Sequence, residues 1–230
     1  DKTGGYFDCT ISPLVDFWGF GPYKKESIDS SKISKLVALV GTDELSLLDN
    51  RVSKPKSFRI DFNGIAQGYS VDLISLFLEG QGIHNYLVEI GGEVRVKGLN
   101  SEQKLWRIGI ADPSEVLSGN LHVILTLKDK SLATSGNYRK FYEEDGIKYS
   151  HIINPKTGYP IKHNILSATV IAPACIDADA LATMLMILDW EEGIRIINNI
   201  NNTECLLILK NDNNDLTIKY SDKFSNFIVD

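Results

Sequence analysis

The chain has 230 residues, of which 43% are hydrophobic, and its formal net charge is -6 at pH 7. A chain of this length and composition is globular and can bury a sizeable hydrophobic core. The acidic balance and the absence of any run of Lys and Arg argue against a nucleic-acid-binding surface, since phosphate binding needs a concentrated positive face.

Three cysteines are widely spaced and belong to no C-x-x-C motif, namely Cys9, Cys175 and Cys205. This spacing indicates neither a disulfide framework nor a zinc site, so we expect buried thiols. No apolar run reaches the length of a membrane span, and no charged and then apolar leader stands at the start of the chain.

The first 23 residues are rich in glycine and aromatic residues, which is typical of a loop-like segment. Its large flat side chains, such as Phe17 and Trp18, have two interpretations: a hydrophobic plug over the core, or a surface that faces a ligand. A short helix is predicted over residues 31–40 and a strand over residues 58–61.

The stretch from Arg59 to Asp72 predicts a strand that ends in an acid, turns on small residues and enters a helix. Asn63 is a good N-cap, and the amides after Gly64 lack intrahelical partners, so they can receive an anion. Gly64 and Gly68 would let a ligand approach the backbone closely, although such glycines are also ordinary in plain connections. The Gly-x-x-x-Gly spacing is neither the dinucleotide fingerprint nor a P-loop.

The apolar spacing of residues 65–80 predicts an amphipathic helix, whose apolar positions are Ile65, Tyr69, Leu73, Leu76 and Phe77. Residues 86–96 alternate apolar with charged side chains around two glycines, which predicts a β-hairpin. Further strands are predicted at 105–110, 122–127, 167–172, 205–209 and 216–220, and helices at 178–190 and 191–199. Because strands outnumber helices and occur in neighbouring runs, the expected fold is α+β, with largely antiparallel sheets and packed helices.

Asp179 and Thr183 are one turn apart on the same face of a predicted helix. A carboxylate and a hydroxyl so placed present two hard oxygens, the ligand type that Mg²⁺ or Ca²⁺ takes. The alternative is a structural pair, in which Asp179 interacts with the dipole at its own helix start and Thr183 bonds to a backbone carbonyl.

His151 lies where a predicted strand breaks into an Asn-Pro-x-x-Gly turn. A histidine there can donate or accept a proton near neutral pH, and a structural role is the alternative. Ser135 lies in a small-polar turn predicted over residues 134–138. It is a candidate nucleophile without a visible base, and a turn role is equally open.

Six blocks occur together in one order, and this order is far more specific than any one block. They are Gly-Tyr-Phe-Asp at 5–8 with Ser-Pro-Leu-Val at 12–15 and Trp-Gly-Phe-Gly at 18–21, then residues 60–69, Glu-Ile-Gly-Gly-Glu at 89–93, Ala-Thr-Ser-Gly at 133–136, residues 150–158, and Ala-Asp-Ala-Leu-Ala-Thr at 178–183. Together they resemble the ApbE family, the FAD:protein FMN transferases once labelled thiamine-biosynthesis lipoproteins. The resemblance implies a single ApbE-type domain over residues 1–230, with the family's N-terminal segment and leader absent.

The resemblance also implies a flavin pocket, a metal site and a catalytic histidine. The implied flavin-contacting residues are Tyr6, Phe7, Asp8, Asp61, Gln67 and Ile153. The implied Mg²⁺ ligands are Asp179 and Thr183, with backbone oxygens near Gly64 and Ala182, and His151 falls where the family has a histidine implicated in catalysis. Two positions depart from the family: Gln67 replaces the more usual Glu or Lys, and Asn154 replaces the usual Asp, so each change removes a possible charge.

The implied reaction is Mg²⁺-dependent transfer of FMN from FAD to a Thr or Ser hydroxyl of an acceptor flavoprotein, with release of AMP. Hydrolysis of FAD to FMN and AMP, and FAD binding without turnover, are the alternatives. The implied acceptors belong to redox-driven ion pumps on the extracytoplasmic side of a bacterial membrane, in the periplasm or on an inner-membrane lipoprotein. Membrane attachment is expected only through a lipid anchor that this chain does not carry.

Overall fold

The computed structural model describes residues 2–23, 28–55, 57–111, 121–137, 141–144, 146–162, 164–211, 213 and 215–229. The described helices are α1 (Ser12–Phe17), α2 (Ser30–Val37), α3 (Ala66–Gly80), α4 (Cys175–Leu185) and α5 (Trp190–Asn198), with 3₁₀ turns at Thr42–Glu44 and Phe224–Phe227. The described strands are β1 (Ser46–Leu48), β2 (Arg51–Ser53), β3 (Tyr86–Ile90), β4 (Glu93–Lys97), β5 (Trp106–Ala111), β6 (Leu121–Leu127), β7 (Lys130–Gly136), β8 (Phe141–Glu144), β9 (Ile147–Ser150), β10 (Ile165–Ala172), β11 (Glu204–Lys210) and β12 (Leu216–Tyr220). The described strand pairs are all antiparallel, which confirms the predicted α+β class.

Backbone contacts divide the chain into two compact units. The first unit is Asp1–Gly64 with Lys140–Lys162, and the second unit is Ile65–Arg139 with His163–Asp230. Each unit has a hydrophobic cluster of its own. The single domain over residues 1–230 stays a prediction.

The first unit is built around the aromatic end of α1. Phe17 and Trp18 are buried with Leu14, Ile33 and Ile153 in one hydrophobic cluster. Of the two interpretations of this aromatic segment, the plug over a core is therefore the one that the structure supports for Phe17 and Trp18. The expected loop over residues 1–23 is wrong in one place, because α1 begins with Ser-Pro and proline is well suited to a first helical turn.

The buried Trp18 also fixes the turn that follows β9. Its indole Nε1–H donates to the carbonyl oxygen of Gly158 at 2.7 Å. Gly158 has φ +76°, and a Cβ there would lie 2.6 Å from side-chain carbons of both Ile33 and Val37. The Asn-Pro-Lys-Thr-Gly turn can therefore close over this cluster only with glycine at its last position.

The second unit is organised by a six-stranded sheet with the order β12-β11-β10-β7-β4-β3. On one face of this sheet, Val94, Val96 and Ile208 pack with Leu125 of the β5–β6 pair and with Phe224. On the other face, α3 packs against β3 and β4, α4 packs against β7 and β10, and α5 packs against β11. The sheet is therefore covered on both faces, and its central strand β10 is almost wholly buried.

The face of α3 that packs inward differs from the predicted one. The buried residues of α3 are Gly68, Val71, Asp72 and Ser75. Several of the predicted apolar positions within the helix are at least half exposed, for example Tyr69 at 50% and Phe77 at 65%. A close helix contact needs small residues where the backbones approach, and this requirement outweighs apolar periodicity here.

Other local predictions also need correction. Residues 58–61 form no strand, although the Asp61 N–H donates to the carbonyl of Cys9 at 2.7 Å. The N-cap position of α3 is Ile65 and not Asn63, whose backbone N–H bonds instead to the Asp61 carboxylate. The predicted helix over 178–190 ends at Leu185, since α5 begins at Trp190.

The predicted hairpin, the strand positions and the thiols largely agree with the structure. β3 and β4 are the predicted hairpin, and β5, β6, β10, β11 and β12 overlap the other predicted strands. Cys175 and Cys205 are buried as expected, whereas Cys9 is only half-buried. Among the described residues, no helix has both the length and the apolar character that crossing a membrane requires.

Candidate active site

Helices α3 and α4 of the second unit cap each other with carboxylates. Asp179 of α4 accepts a hydrogen bond from the backbone N–H of Gly68 in the first turn of α3, at 3.1 Å. Asp72 of α3 accepts bonds from the N–H groups of Cys175 and Ile176 at the start of α4, at 3.0 and 2.9 Å. Amides in a first helical turn lack intrahelical partners, and an acid there is stabilised by the helix dipole. The exchange therefore fixes Asp179 at the positive end of α3.

Gly68 makes this contact possible. A Cβ at Gly68 would lie 2.5 Å from the carbonyl oxygen of Cys175 and 2.9 Å from the Cβ of Asp179. The predicted close approach to the backbone at Gly68 is therefore made by α4 itself. The start of α3 is predicted from the sequence to bind an anion. At Gly68 that anion is the carboxylate of Asp179.

The predicted pair of oxygen ligands lies within α4 as expected. Asp179 and Thr183 both belong to the helix, four residues apart, and Asp179 is buried. The structural alternative, in which Asp179 interacts with the dipole of its own helix, is wrong. The acid in the first turn of α4 is Asp177, whereas Asp179 caps α3. The Thr183 hydroxyl lies 3.3 Å from the hydroxyl of Ser135.

Ser135 is not in a turn. It lies within β7, whose last residue is Gly136, so the turn predicted over 134–138 is wrong up to that point, and Tyr138 lies outside the described residues. Strand β7 packs against α4, which explains why the two hydroxyls meet. Ser135 therefore places a second hydroxyl beside Thr183, in addition to the carboxylate of Asp179.

Glu93 is a site residue to which the sequence assigned no role. Its side chain is buried, with 6% of the residue exposed, and its Oε2 atom has no hydrogen-bond partner among the described residues. Burial raises the pKa of Glu93 to about 7, and repulsion from Asp179 adds to this effect. Burial likewise raises the pKa of Asp179, while the Gly68 N–H bond opposes the shift.

The pattern of β4 explains why the burial of Glu93 is not evident from the sequence. The strand alternates charged and apolar residues, so Glu93 and Arg95 look like solvent-facing positions. Val94 and Val96 do face the main core, but the opposite face of β4 is covered by α3 and α4. A charged residue on that face becomes buried only because two helices lie over it.

The chemistry of these oxygens fits a hard divalent cation. Asp179 and Thr183 offer a carboxylate and a hydroxyl, the donor types of Mg²⁺. The negative charge of Asp179 acts on the buried Glu93, one oxygen of which is unsatisfied, so a positive charge would stabilise the ionised form of both carboxyl groups. Among the described residues there is no cluster of three or more His, Cys, Asp or Glu side chains that could hold a metal by themselves. Hydroxyl and backbone oxygens would have to complete the ligand set.

Gln67 lies at the edge of the same region. It is exposed in the first turn of α3, and its side-chain nitrogen lies 2.1 Å from the point that a Cβ of Gly91 would occupy. The Oε2 atom of Glu93 lies 3.5 Å from that point. Gly91, with φ +66°, therefore leaves the space in which the Gln67 amide approaches the Glu93 carboxyl.

The first unit holds four of the predicted flavin-contacting residues near one another. The Asp8 carboxylate accepts bonds from the backbone N–H and the hydroxyl of Thr10, at 2.8 and 2.6 Å. The next residue, Cys9, accepts the N–H of Asp61 through its carbonyl. Burial raises the pKa of the Cys9 thiol, and the charges of Asp8 and Asp61 raise it further. Tyr6 and Phe7 precede this group directly, and the ammonium of Lys156 lies 3.8 Å from the centre of the Tyr6 ring.

The remaining predicted residues belong to both units. His151 follows β9 directly, as expected, and its ring centre lies 6.2 Å from that of Phe20. Ile153 is buried in the hydrophobic cluster of the first unit. Gly64 ends the first unit and Ala182 is buried on α4 of the second. The roles of all these residues as ligands of flavin or metal stay predictions.

Comparison with known proteins identifies the family. The sequence model of the ApbE family matches residues 1–207. The chain belongs to the ApbE family, which confirms the resemblance seen in its motifs. It is 41% identical over 214 residues to the FAD:protein FMN transferase of Vibrio cholerae and 38% identical over 223 residues to that of Haemophilus influenzae, covering 91% and 94% of this chain.

Solved structures agree with this assignment. The flavinyl transferase ApbE of Pseudomonas stutzeri in its apo form matches 98% of this chain with a TM-score of 0.86 and 34% identity. The flavin transferase ApbE from Vibrio cholerae matches the same share with a TM-score of 0.84 and 38% identity. The chain covers 70% and 72% of those two structures, and it spans 63% and 64% of the length of the two curated relatives.

Proposed function

We propose that this chain carries out the flavin transfer for which its relatives are named. The FMN part of FAD is transferred to a Thr or Ser hydroxyl of an acceptor protein, and AMP is released. The observation that carries the proposal is the buried Asp179 carboxylate, held at the start of α3 and one helical turn from Thr183, in a chain matched by the ApbE family over residues 1–207. The relatives from Vibrio cholerae and Haemophilus influenzae are named as transferases that use FAD.

The bond changes of this reaction balance without any further reactant. The acceptor hydroxyl oxygen forms a bond to the phosphorus on the FMN side of the diphosphate. The bond from that phosphorus to the bridging oxygen breaks, and AMP leaves with the bridging oxygen. The hydroxyl proton must pass to a base, and His151 is our candidate because a neutral imidazole can accept it near pH 7.

Asp179 and Thr183 are the residues proposed to hold Mg²⁺, with backbone oxygens of Gly64 and Ala182. Bound there, Mg²⁺ would offset the negative charge of the diphosphate. A protein with a formal net charge of -6 needs such local compensation to bind a polyanion.

The chain's own residues would position the flavin nucleotide. Tyr6 and Phe7 offer flat rings next to the compact turn that Asp8 makes with Thr10. Asp61 is held beside this turn by its backbone bond to Cys9. Because a ligand loses less freedom when its site is already ordered, these local bonds favour the proposed pocket.

The direct test is incubation of the protein with FAD, Mg²⁺ and a candidate acceptor protein, followed by intact-mass measurement of the acceptor. We expect the mass to rise by one FMN, with AMP released in equal amount. FMN and AMP without an acceptor adduct would indicate hydrolysis instead. FAD binding without AMP release would indicate a carrier and refute the enzymatic proposal.

Two variants test the residue roles. Asp179→Asn should abolish the Mg²⁺-dependent transfer. His151→Ala should slow transfer by roughly 10²–10⁴-fold, the usual contribution of a positioned acid or base. His84→Ala is the matched control, since His84 is an exposed histidine in the segment between α3 and β3 of the second unit. Retention of both FMN transfer and FAD binding by His151→Ala would show that the assignment of His151 is wrong.

We also propose that the acceptor is a subunit of a redox-driven ion pump or a related flavoprotein, on the extracytoplasmic side of a bacterial membrane. Only the family resemblance supports this part of the proposal. Cell fractionation of the producing bacterium, combined with a search for FMN adducts on membrane proteins, would test it. Exclusive recovery of the adducts in the cytosol would contradict it.

A further inference from the structure

The buried carboxyl of Glu93 lacks the partners that a buried acid normally has. Its residue is 6% exposed, and Oε2 has no hydrogen-bond partner among the described residues. A buried polar atom left without a partner costs roughly 1–3 kcal/mol, and more when the group is charged. Such an atom in a well-packed unit therefore calls for a specific explanation.

Cationic side chains of the same strand do not supply that partner. Arg95 pairs with Asp72 at 2.5 Å and with Glu79 at 3.6 Å, and Lys97 pairs with Glu79 at 2.5 Å. Within the described part of the chain, no ion pair involves Glu93. A bound cation would supply the positive charge that Arg95 and Lys97 do not.

The charges that act on Glu93 are negative, namely those of Asp179 and Glu89. Asp179 is also buried, and its negative charge acts on Glu93. Asp179 is held in place by the N–H of Gly68, while Glu93 lies beside the opening that Gly91 leaves next to Gln67. A divalent cation with oxygen ligands beside two such carboxyl groups would favour the ionised form of both.

We propose that Glu93 is a further metal-binding residue, whose carboxylate acts together with Asp179 on the divalent cation of this site. This inference rests on the proposed function for the presence of the cation. It assigns a role to the second acid of the Glu-Ile-Gly-Gly-Glu block at 89–93, for which the family resemblance implies none. It also explains the unsatisfied oxygen, since that atom becomes a ligand.

The experiment measures metal binding without turnover. Mn²⁺ is added to the metal-free protein, and free Mn²⁺ is followed by electron paramagnetic resonance. The variants are Glu93→Gln, Asp179→Asn and, as the matched control, Glu89→Gln. Glu89 is an exposed acid on the neighbouring strand whose charge also acts on Glu93, so its substitution removes one negative charge near the site while both buried carboxyl groups remain.

We expect Glu93→Gln to weaken Mn²⁺ binding by at least about tenfold, and Asp179→Asn by as much or more. Glu89→Gln should stay within about twofold of the wild type, because screened surface charges have small effects. The melting temperature of metal-free Glu93→Gln should not fall, whereas its rise on addition of Mn²⁺ should be largely lost. Loss of folding is thus separated from loss of binding.

Three outcomes would overturn the inference. Mn²⁺ affinity of Glu93→Gln within about threefold of the wild type would leave Glu93 without a ligand role. An equal loss in Glu89→Gln would assign the effect to general charge. Absence of Mn²⁺ binding by the wild type would remove the cation itself. Flavin transfer is measured separately by intact mass, so the proposed function can stand while the role of Glu93 fails.

Discussion

The contact between α3 and α4 can be tested by adding a single atom, the Cβ of an alanine at position 68. Gly68→Ala adds a Cβ that would lie 2.5 Å from the carbonyl oxygen of Cys175, 2.8 Å from its carbonyl carbon and 2.9 Å from the Cβ of Asp179. Backbone atoms cannot rotate away as a flexible side chain would. The helices must therefore separate, and the hydrogen bond from Gly68 to Asp179 must lengthen.

The magnitude follows from three opposing effects. Overpacking of a tight contact costs about 1–3 kcal/mol. Loss of a buried hydrogen bond to a carboxylate costs about 1–3 kcal/mol more. Alanine is favoured over glycine within a helix by about 1 kcal/mol, which offsets part of this cost. We expect a net loss of about 3 kcal/mol, or roughly 6–12 °C in melting temperature for a chain of this size.

The assay is urea unfolding followed by circular dichroism, with Gly80→Ala as the control. Gly80 is the last residue of the same helix, and a Cβ there would meet no atom within 4 Å. That variant should be neutral or slightly stabilised. Equal stability of Gly68→Ala and Gly80→Ala would refute the tight contact and with it the argument that Gly68 positions Asp179.

Three further predictions concern ion pairs and a buried donor. Asp72→Asn should lower the free energy of unfolding by about 3 kcal/mol, because it leaves Arg95 without its buried partner; a loss below about 1 kcal/mol in urea unfolding would contradict this. Trp18→Phe should cost about 1–3 kcal/mol, because the buried carbonyl that accepts its indole N–H loses its donor; unchanged resistance to proteolysis in the first unit would contradict it. The hydrogen bond from Lys97 holds the pKa of Glu79 below its ordinary value, so the stability from this pair is present above about pH 4.5 and is lost as the pH falls through the lower folded pKa. Glu79→Gln should therefore lose less stability than the wild type on acidification, and parallel urea midpoints from pH 7 to pH 3 would count against the assignment.

The sequence allowed good predictions wherever a local rule decides the structure. The hairpin of β3 and β4 follows from side-chain alternation around Gly91 and Gly92, and both glycines have positive φ values, +66° and +111°. The predicted placement of Asp179 and Thr183 on one helix is confirmed because helical spacing is local. The family could also be identified from the sequence, because the order of six motifs does not depend on the correct prediction of any single helix or strand.

Predictions failed where a distant segment decides the outcome. The apolar spacing of α3 indicated a buried face that the structure leaves exposed, because α4 packs against the small residues of the helix instead. The charged position of Glu93 looked solvent-facing, because alternation along β4 does not reveal that helices cover that face. The strand expected at 58–61 is absent from the structure because extended residues form a strand only when a partner strand lies beside them.

By itself the sequence determined the α+β class, the family and the placement of Asp179 and Thr183 one turn apart on a helix, because composition, periodicity and motif order are properties of the chain. Only the tertiary structure decided that Asp179 caps α3, that Asp72 caps α4 in return, and that Glu93 is buried beside them. The physical reason is that a carboxylate's role depends on which amides and charges surround it. In the second unit those neighbours come from segments about 100 residues apart in the chain, such as Gly68 and Asp179.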